Sequence, residues 1–177
     1  YCYYEGVGLD PDPRQAYRWA LAAAEQGEPT AQYNVWMAYS NGIGVAADPV
    51  KGLPWLEQAA KAGYADAMTA LGQHLLENGP DDATRENGLA WLRQAAETGE
   101  AEAQWTLGLI YENGWQVDAD PSKSFAWYLK AAEQEHALSQ AMVGQAFYTG
   151  EGVEQDFAQA VVWFKRGAEQ DDPTAQT

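Results

Sequence analysis

Basic residues are scarce in this chain, and the side chains that most often carry chemistry are scarcer still. Its 177 residues hold ten Lys and Arg against 26 Asp and Glu, with one cysteine and two histidines. A net charge of −16 repels polyanions, which excludes nucleic acid and anionic membrane surfaces as partners. The lone Cys2 has no disulfide partner, so the redox compartment stays open. No apolar run nears the length of a membrane helix, and direct membrane insertion is not expected. Nucleophilic catalysis needs a base within reach of the nucleophile, and neither His74 nor His136 belongs to a Ser-His-Asp or Cys-His pattern. The chain reads as non-catalytic and without a cofactor. A composition 46% hydrophobic and 20% charged fits a soluble folded protein.

What is present is repetition. Gly6, Gly42, Gly114 and Gly150 fall on one comb of 36-residue pitch, with Asn78 in the missing place. Trp19, Trp55, Trp91, Trp127 and Trp163 make a complete comb, as do Ala24, Ala60, Ala96, Ala132 and Ala168. Gly27, Gly63 and Gly99 follow the alanines, with Glu135 and Asp171 standing in afterwards. A feature found in every copy builds the repeat. The G-x-G of "NGIGVAADP", Asn41 to Pro49, is therefore a turn and no phosphate cradle, which would need a strand before it.

Periodicity gives each copy two helices. Ala31, Val35, Ala38 and Tyr39 mark one apolar face; Leu53, Leu56, Ala59 and Ala60 mark the next. The first helix starts near Pro29 and ends at Gly42, in the left-handed position that glycine favours. The second starts with Asp48 as N-cap and Pro49 behind it, a pair repeated as Asp12-Pro13 and Asp120-Pro121, and stops at Gly63. In the third copy the loop "NGPDDATREN" leaves Thr84 as cap. Helices of this length are marginal alone, so each pair must bury its stripe on its neighbours. The expected fold is all-α: a right-handed α-α superhelical solenoid of 36-residue helix-turn-helix repeats.

The stretch "AQWTLGLIYENGWQVDADPSKSFAWYLKAAEQ", Ala103 to Gln134, resembles the Sel-one-like repeat, a relative of the tetratricopeptide repeat. Leu107, Gly108, Tyr111, Gly114, Trp127, Lys130, Ala131, Ala132 and Glu133 all fall in its register. The register makes residues 1–177 a single repeat domain: a partial unit at 1–28, complete units at 29–64, 65–100, 101–136 and 137–172, and the start of another at 173–177. No polar capping repeat is visible, so the expectation is a piece of a longer array, or ends without order. Trp36 stands where the other copies have Gly72, Gly108 and Gly144, so the helix pair there must open or the indole swing out. Secreted family members staple their repeats with paired cysteines; this chain cannot. The resemblance implies a protein or peptide ligand and leaves the cytoplasm and the bacterial periplasm or exterior both open.

Charge is polarised. All ten bases lie in second helices beside six acids, a balance of +4, while first helices and loops hold the other twenty acids and no base. In tetratricopeptide solenoids the first helices line the concave face, and the resemblance implies the same here. Two readings stay open: a groove that attracts cations, or a surface acidic for solubility. The residues of those helices turned away from Val35, Ala38 and Tyr39 and their counterparts include Tyr33, Met37, Asp66, Gln73, Glu102, Trp105, Leu109, Glu112 and Tyr148. Large apolar groups among acids are expected as anchors for a basic segment, or as packing against the adjacent helix. Trp115, in a loop, is a further contact. His74 sits at an inward position that implies a core or half-buried role, and His136 sits at a helix start. The acidic turns at Asp10 to Asp12, Pro80 to Asp82 and Asp118 to Asp120 lack the calcium-loop pattern, so weak divalent-cation binding is the most they imply. The expectation is an interaction scaffold; the alternative is a structural spacer in a larger envelope or secreted protein. Oligomeric state is not encoded in these features.

Overall fold

A computed structural model describes residues 12–171. Among the described residues nine helices and no strands occur: α1 Pro13–Ala24, α2 Pro29–Asn41, α3 Pro49–Lys61, α4 Ala65–Asn78, α5 Asp82–Glu97, α6 Ala101–Asn113, α7 Pro121–Ala132, α8 Ala137–Thr149 and α9 Phe157–Asp171. The chain divides into two compact units, Tyr1–Leu71 and Gly72–Thr177, with the boundary inside α4. Within each unit consecutive helices pack on one another, α1 on α2 and α2 on α3 in one, α5 through α9 in series in the other. The expected partial unit 1–28 and the start at 173–177 lie in part or wholly outside the described residues, as do Cys2 and the turn acid Asp10.

The turns are built as the combs imply. Gly42, Gly114 and Gly150 end first helices at φ 70, 70 and 78°, each N–H returning to a carbonyl four residues back. Asp12, Asp48 and Asp120 cap second helices, their carboxylates accepting from free N–H groups of the first turn. Asp156 does the same for α9, from Ala158 and Gln159 at 2.9 and 3.0 Å.

The third copy departs from expectation. Its cap is Asp81, not Thr84: α5 begins three residues early, so Thr84 lies in the first turn and gives its N–H at 2.8 Å and its hydroxyl at 2.7 Å to Asp81. A carboxylate at the positive helix end displaces a hydroxyl as acceptor. Three first helices have caps that residue statistics do not favour: Glu28, Glu100 and His136. Seven carboxylates are thereby committed to helix starts.

Three of these carboxyls titrate below their ordinary 3.8, and in each the largest cause is a side-chain hydrogen bond: Lys51 to Asp48, Thr84 to Asp81, Lys123 to Asp120. A depressed folded value means that stability is fully present above pH 3.8 and is lost as pH falls through the folded value. Melting temperature should therefore fall on acidification below about pH 4. Asp81→Asn, which keeps the capping acceptor without the titration, should flatten its share of that slope. A slope unchanged in this variant would remove Asp81 from the account.

The core repeats with the turns. Val35, Leu71, Leu107 and Val143 occupy one register position and are 0–4% exposed. Three residues earlier in their helices, Gln32, Gln104 and Gln140 are buried and donate to Ala24, Ala96 and Ala132 at 3.4, 3.1 and 3.2 Å. Each amide supplies a partner to a last-turn carbonyl of the preceding helix, a class of group with no acceptor role inside its own helix. In α1 and α2, the Tyr17 hydroxyl donates to that of Tyr39 at 3.0 Å. Burial, then this bond, pushes the Tyr17 phenol up to about 12.

Glycines set how closely paired helices approach. At Gly108 an added Cβ would lie 2.3 Å from the Tyr128 ring, and at Gly144 2.8 Å from that of Phe164. In the pair α2 and α3 the glycine has changed sides. Gly52 on α3 faces Trp36, an added Cβ there lying 3.2 Å from the indole, so the pair keeps its contact through a partner-helix glycine. Neither opening nor an outward indole is required.

Candidate functional site

The candidate residues fall in both units. On α2, Tyr33 is half-buried, its ring 5.2 Å from Trp36 and 5.3 Å from Tyr64. Tyr64 donates to Asp66 at 2.7 Å, and burial followed by that bond pushes the phenol up to about 12. Tyr33, Trp36, Tyr64 and Asp66 thus form one aromatic patch with an exposed carboxylate. Met37, one turn along α2, is half-buried.

In the second unit, Gln73 donates to the Thr106 hydroxyl at 3.0 Å. Trp105 and Leu109 are half-buried against the core cluster of Tyr128, Ala132, Val143 and Trp163. The Trp105 ring lies 5.7 Å from that of His136, whose Nε2 is 3.4 Å from Glu102. Ser139 gives its N–H to His136 Nδ1 at 3.2 Å, which places the neutral ring's proton on Nε2, toward Glu102. This cap-and-carboxylate role was not visible in the sequence, because histidine is not a favoured N-cap. Glu112 accepts from the Tyr128 hydroxyl at 2.8 Å. Burial first, then this carboxylate, holds the Tyr128 phenol far above its usual value. Tyr148 remains 54% exposed, edge-on to Phe157 at 5.5 Å, and Trp115 is 58% exposed on its turn.

The first helices α2, α4, α6 and α8 hold no Lys or Arg and only four acids: Asp66, Glu77, Glu102 and Glu112. The remaining described acids outside second helices sit in caps and turns. On the second helices, Lys51 and Lys123 pair with the caps Asp48 and Asp120 at 2.9 and 2.8 Å. His74 is half-buried, with Asn78 Nδ2 3.4 Å from its Nδ1. Among the described residues no three metal-ligating side chains gather, and no helix is long and apolar enough to cross a membrane.

The Sel1 repeat family model matches residues 1–28, 29–64, 65–99, 101–136 and 137–172. The chain belongs to the Sel1 repeat family. The matched segments recur at the spacing of about 36 residues that the tryptophan and glycine combs have. Among solved structures the chain is similar to a Sel1 repeat protein from Oxalobacter formigenes, 30% identical over 99% of this chain and 70% of that one, with a TM-score of 0.86. It is equally similar in fold to c5321, a protective antigen of uropathogenic Escherichia coli displaying an SLR fold. That match is 32% identical, covers 99% of this chain and 38% of that one, and has a TM-score of 0.86. The chain thus spans well under half of the E. coli protein. Helicobacter pylori cysteine rich protein B is 25% identical over 68% of this chain and 92% of its own, with a TM-score of 0.54. No curated protein sequence matches the chain. The all-α solenoid class expected from the combs is the one these relatives share. Sel1 repeats characteristically serve as protein-interaction scaffolds.

Proposed function

We propose that this Sel1 repeat chain is a non-catalytic protein-interaction module whose first-helix faces receive a Lys/Arg-rich segment with apolar anchors. The observation that carries the reading is the sorting of charge: every base lies on a second helix, and α2, α4, α6 and α8 bear none. A partner's cations therefore meet no Lys or Arg on these helices, His136 lying beside Glu102; the edges of Tyr33 and Met37 supply apolar surface in the first unit, and Tyr148 with the edge of Trp105 in the second. Seven of the acids serve as caps, so the attraction rests on Asp66, Glu102 and Glu112 more than on the bulk count.

Tiled Lys/Arg-rich peptides should bind, with affinity falling about tenfold as salt rises from about 0.05 to about 0.5 M. Tyr148→Ala should weaken the hits; Trp19→Ala, an exposed aromatic on a second helix, should not. Fluorescence anisotropy reads both. Affinity indifferent to salt removes the electrostatic part, and no binding at all favours the structural spacer.

A further inference from the structure

One crevice in the second unit combines an apolar floor with an acidic rim. It opens among the last turn of α6, α7 and the last turn of α8, has a volume of about 50 Å³, and is floored by Phe125, Tyr128, Met142 and Ala146. Glu112 and Glu151 stand among its lining residues, which include no Lys, Arg or His. Glu112 is oriented by the Tyr128 hydroxyl at 2.8 Å. The last turns of α6 and α8 and the first turn of α7 meet here, so opposed helix dipoles offset one another and the negative field rests on the two carboxylates.

The acid pair does not belong to the repeat. The place of Glu112 is held in other copies by Ser40, Leu76 and Tyr148, and that of Glu151 by Ile43, Gly79 and Trp115. Features common to all copies build the scaffold; this pair, one acid from each of two adjacent copies, occurs at this junction, and only Glu112 has a structural partner there, the Tyr128 hydroxyl.

We infer that this crevice seats one lysine side chain of a protein partner, its methylenes on Phe125 and Met142 and its ammonium shared by Glu112 and Glu151. The assignment rests on the basic-segment reading above and locates it. A volume of about 50 Å³ holds roughly three to four water-sized groups, which matches the end of a lysine stem with its compact ammonium. A guanidinium is a broader planar head and asks for a fork of acceptors.

The three methionines make the test local. Met142 lines the crevice, Met37 lies on the first-helix face of the other unit, and Met68 is 1% exposed. The full chain carrying ε-¹³C-methionine is titrated with a short Lys/Leu/Ala peptide, its Arg analogue and its norleucine analogue. The Lys peptide should shift Met142 saturably and leave Met68 still; the norleucine analogue should not. The double variant Glu112→Gln/Glu151→Gln leaves an amide oxygen at position 112 to accept from Tyr128, and circular dichroism confirms its fold. It should weaken the Met142 response about tenfold or more. Peptide binding that shifts Met37 or backbone amides but leaves Met142 silent overturns the crevice and spares the basic-segment reading. A stronger Met142 response to the Arg analogue overturns the lysine assignment. No shift anywhere overturns both.

Discussion

Gly152→Ala should destabilise the chain by about 3 kcal/mol, a fall of roughly 6–12 °C in Tm. Two costs combine. Gly152 has φ +76°, where a residue with a Cβ pays about 1–2 kcal/mol. The new Cβ would also lie 2.2 Å from the Pro121 carbonyl oxygen and 2.6 Å from its carbon. These are backbone atoms of the first turn of α7 and cannot rotate aside, so the 150–156 turn must lift off at an overpacking cost of about 1–3 kcal/mol. Gly63→Ala isolates the first cost: φ is +86° and nothing lies within 4 Å of its added Cβ. That variant should lose only about 1–2 kcal/mol. Thermal melts of the two side by side decide it, and equal losses would mean that the turn-to-helix approach contributes nothing. Gly44 makes the same approach to Pro13, at 2.0 Å. Gln116 holds the equivalent place at φ 60° with a Cβ already present, so that turn does not approach its neighbour as closely.

This second glycine of the G-x-G was legible in sequence as part of a turn, but its reason was not. Positive φ explains why glycine is allowed; the carbonyl of Pro121, on the preceding second helix and distant in sequence, explains why it is needed. The same limit recurs elsewhere. Helix boundaries could be read because Asp-Pro starts and glycine stops act through local hydrogen bonds. Glu28, Glu100 and His136 escaped because their capping depends on a longer side chain folding back, which residue preference does not encode. The Trp36 and Gly52 exchange is not legible along the first helices alone, because contact distance depends on both partners. Tyr33, Trp105 and Leu109 point away from their own pair's seam on a helical wheel. Each is nevertheless half-buried, because a stacked helix has neighbours on more than one side. The acid surplus overstated the ligand signal, since Asp12, Asp48, Asp81, Asp120 and Asp156 each have a capping task.

Gly108→Ala tests the contact on which both the stack and the crevice depend. The added methyl would lie 2.3 and 2.4 Å from the Tyr128 ring carbons. Tyr128 is 3% exposed, and its hydroxyl is tied to Glu112, so the ring has no free direction. Alanine gains about 1 kcal/mol of helix propensity over glycine, and overpacking must exceed that. The net expectation is a loss of about 2 kcal/mol, or roughly 4–8 °C in Tm. The clash belongs to the ring. In a Tyr128→Phe background, which removes only the hydroxyl, the cost of Gly108→Ala should stay the same. In a Tyr128→Ala background the cost should vanish or turn into a gain, giving a coupling energy of about 2–3 kcal/mol in the double-mutant cycle. Additive effects would show that the helices relax around the methyl and that glycine is dispensable at this crossing. The cycle also separates fold from function, because Tyr128 lines the crevice and orients Glu112. Tyr128→Phe keeps the packed ring yet releases that carboxylate, so it should weaken the Met142 response to a lysine peptide more than it lowers Tm. Gly108→Ala should move both together.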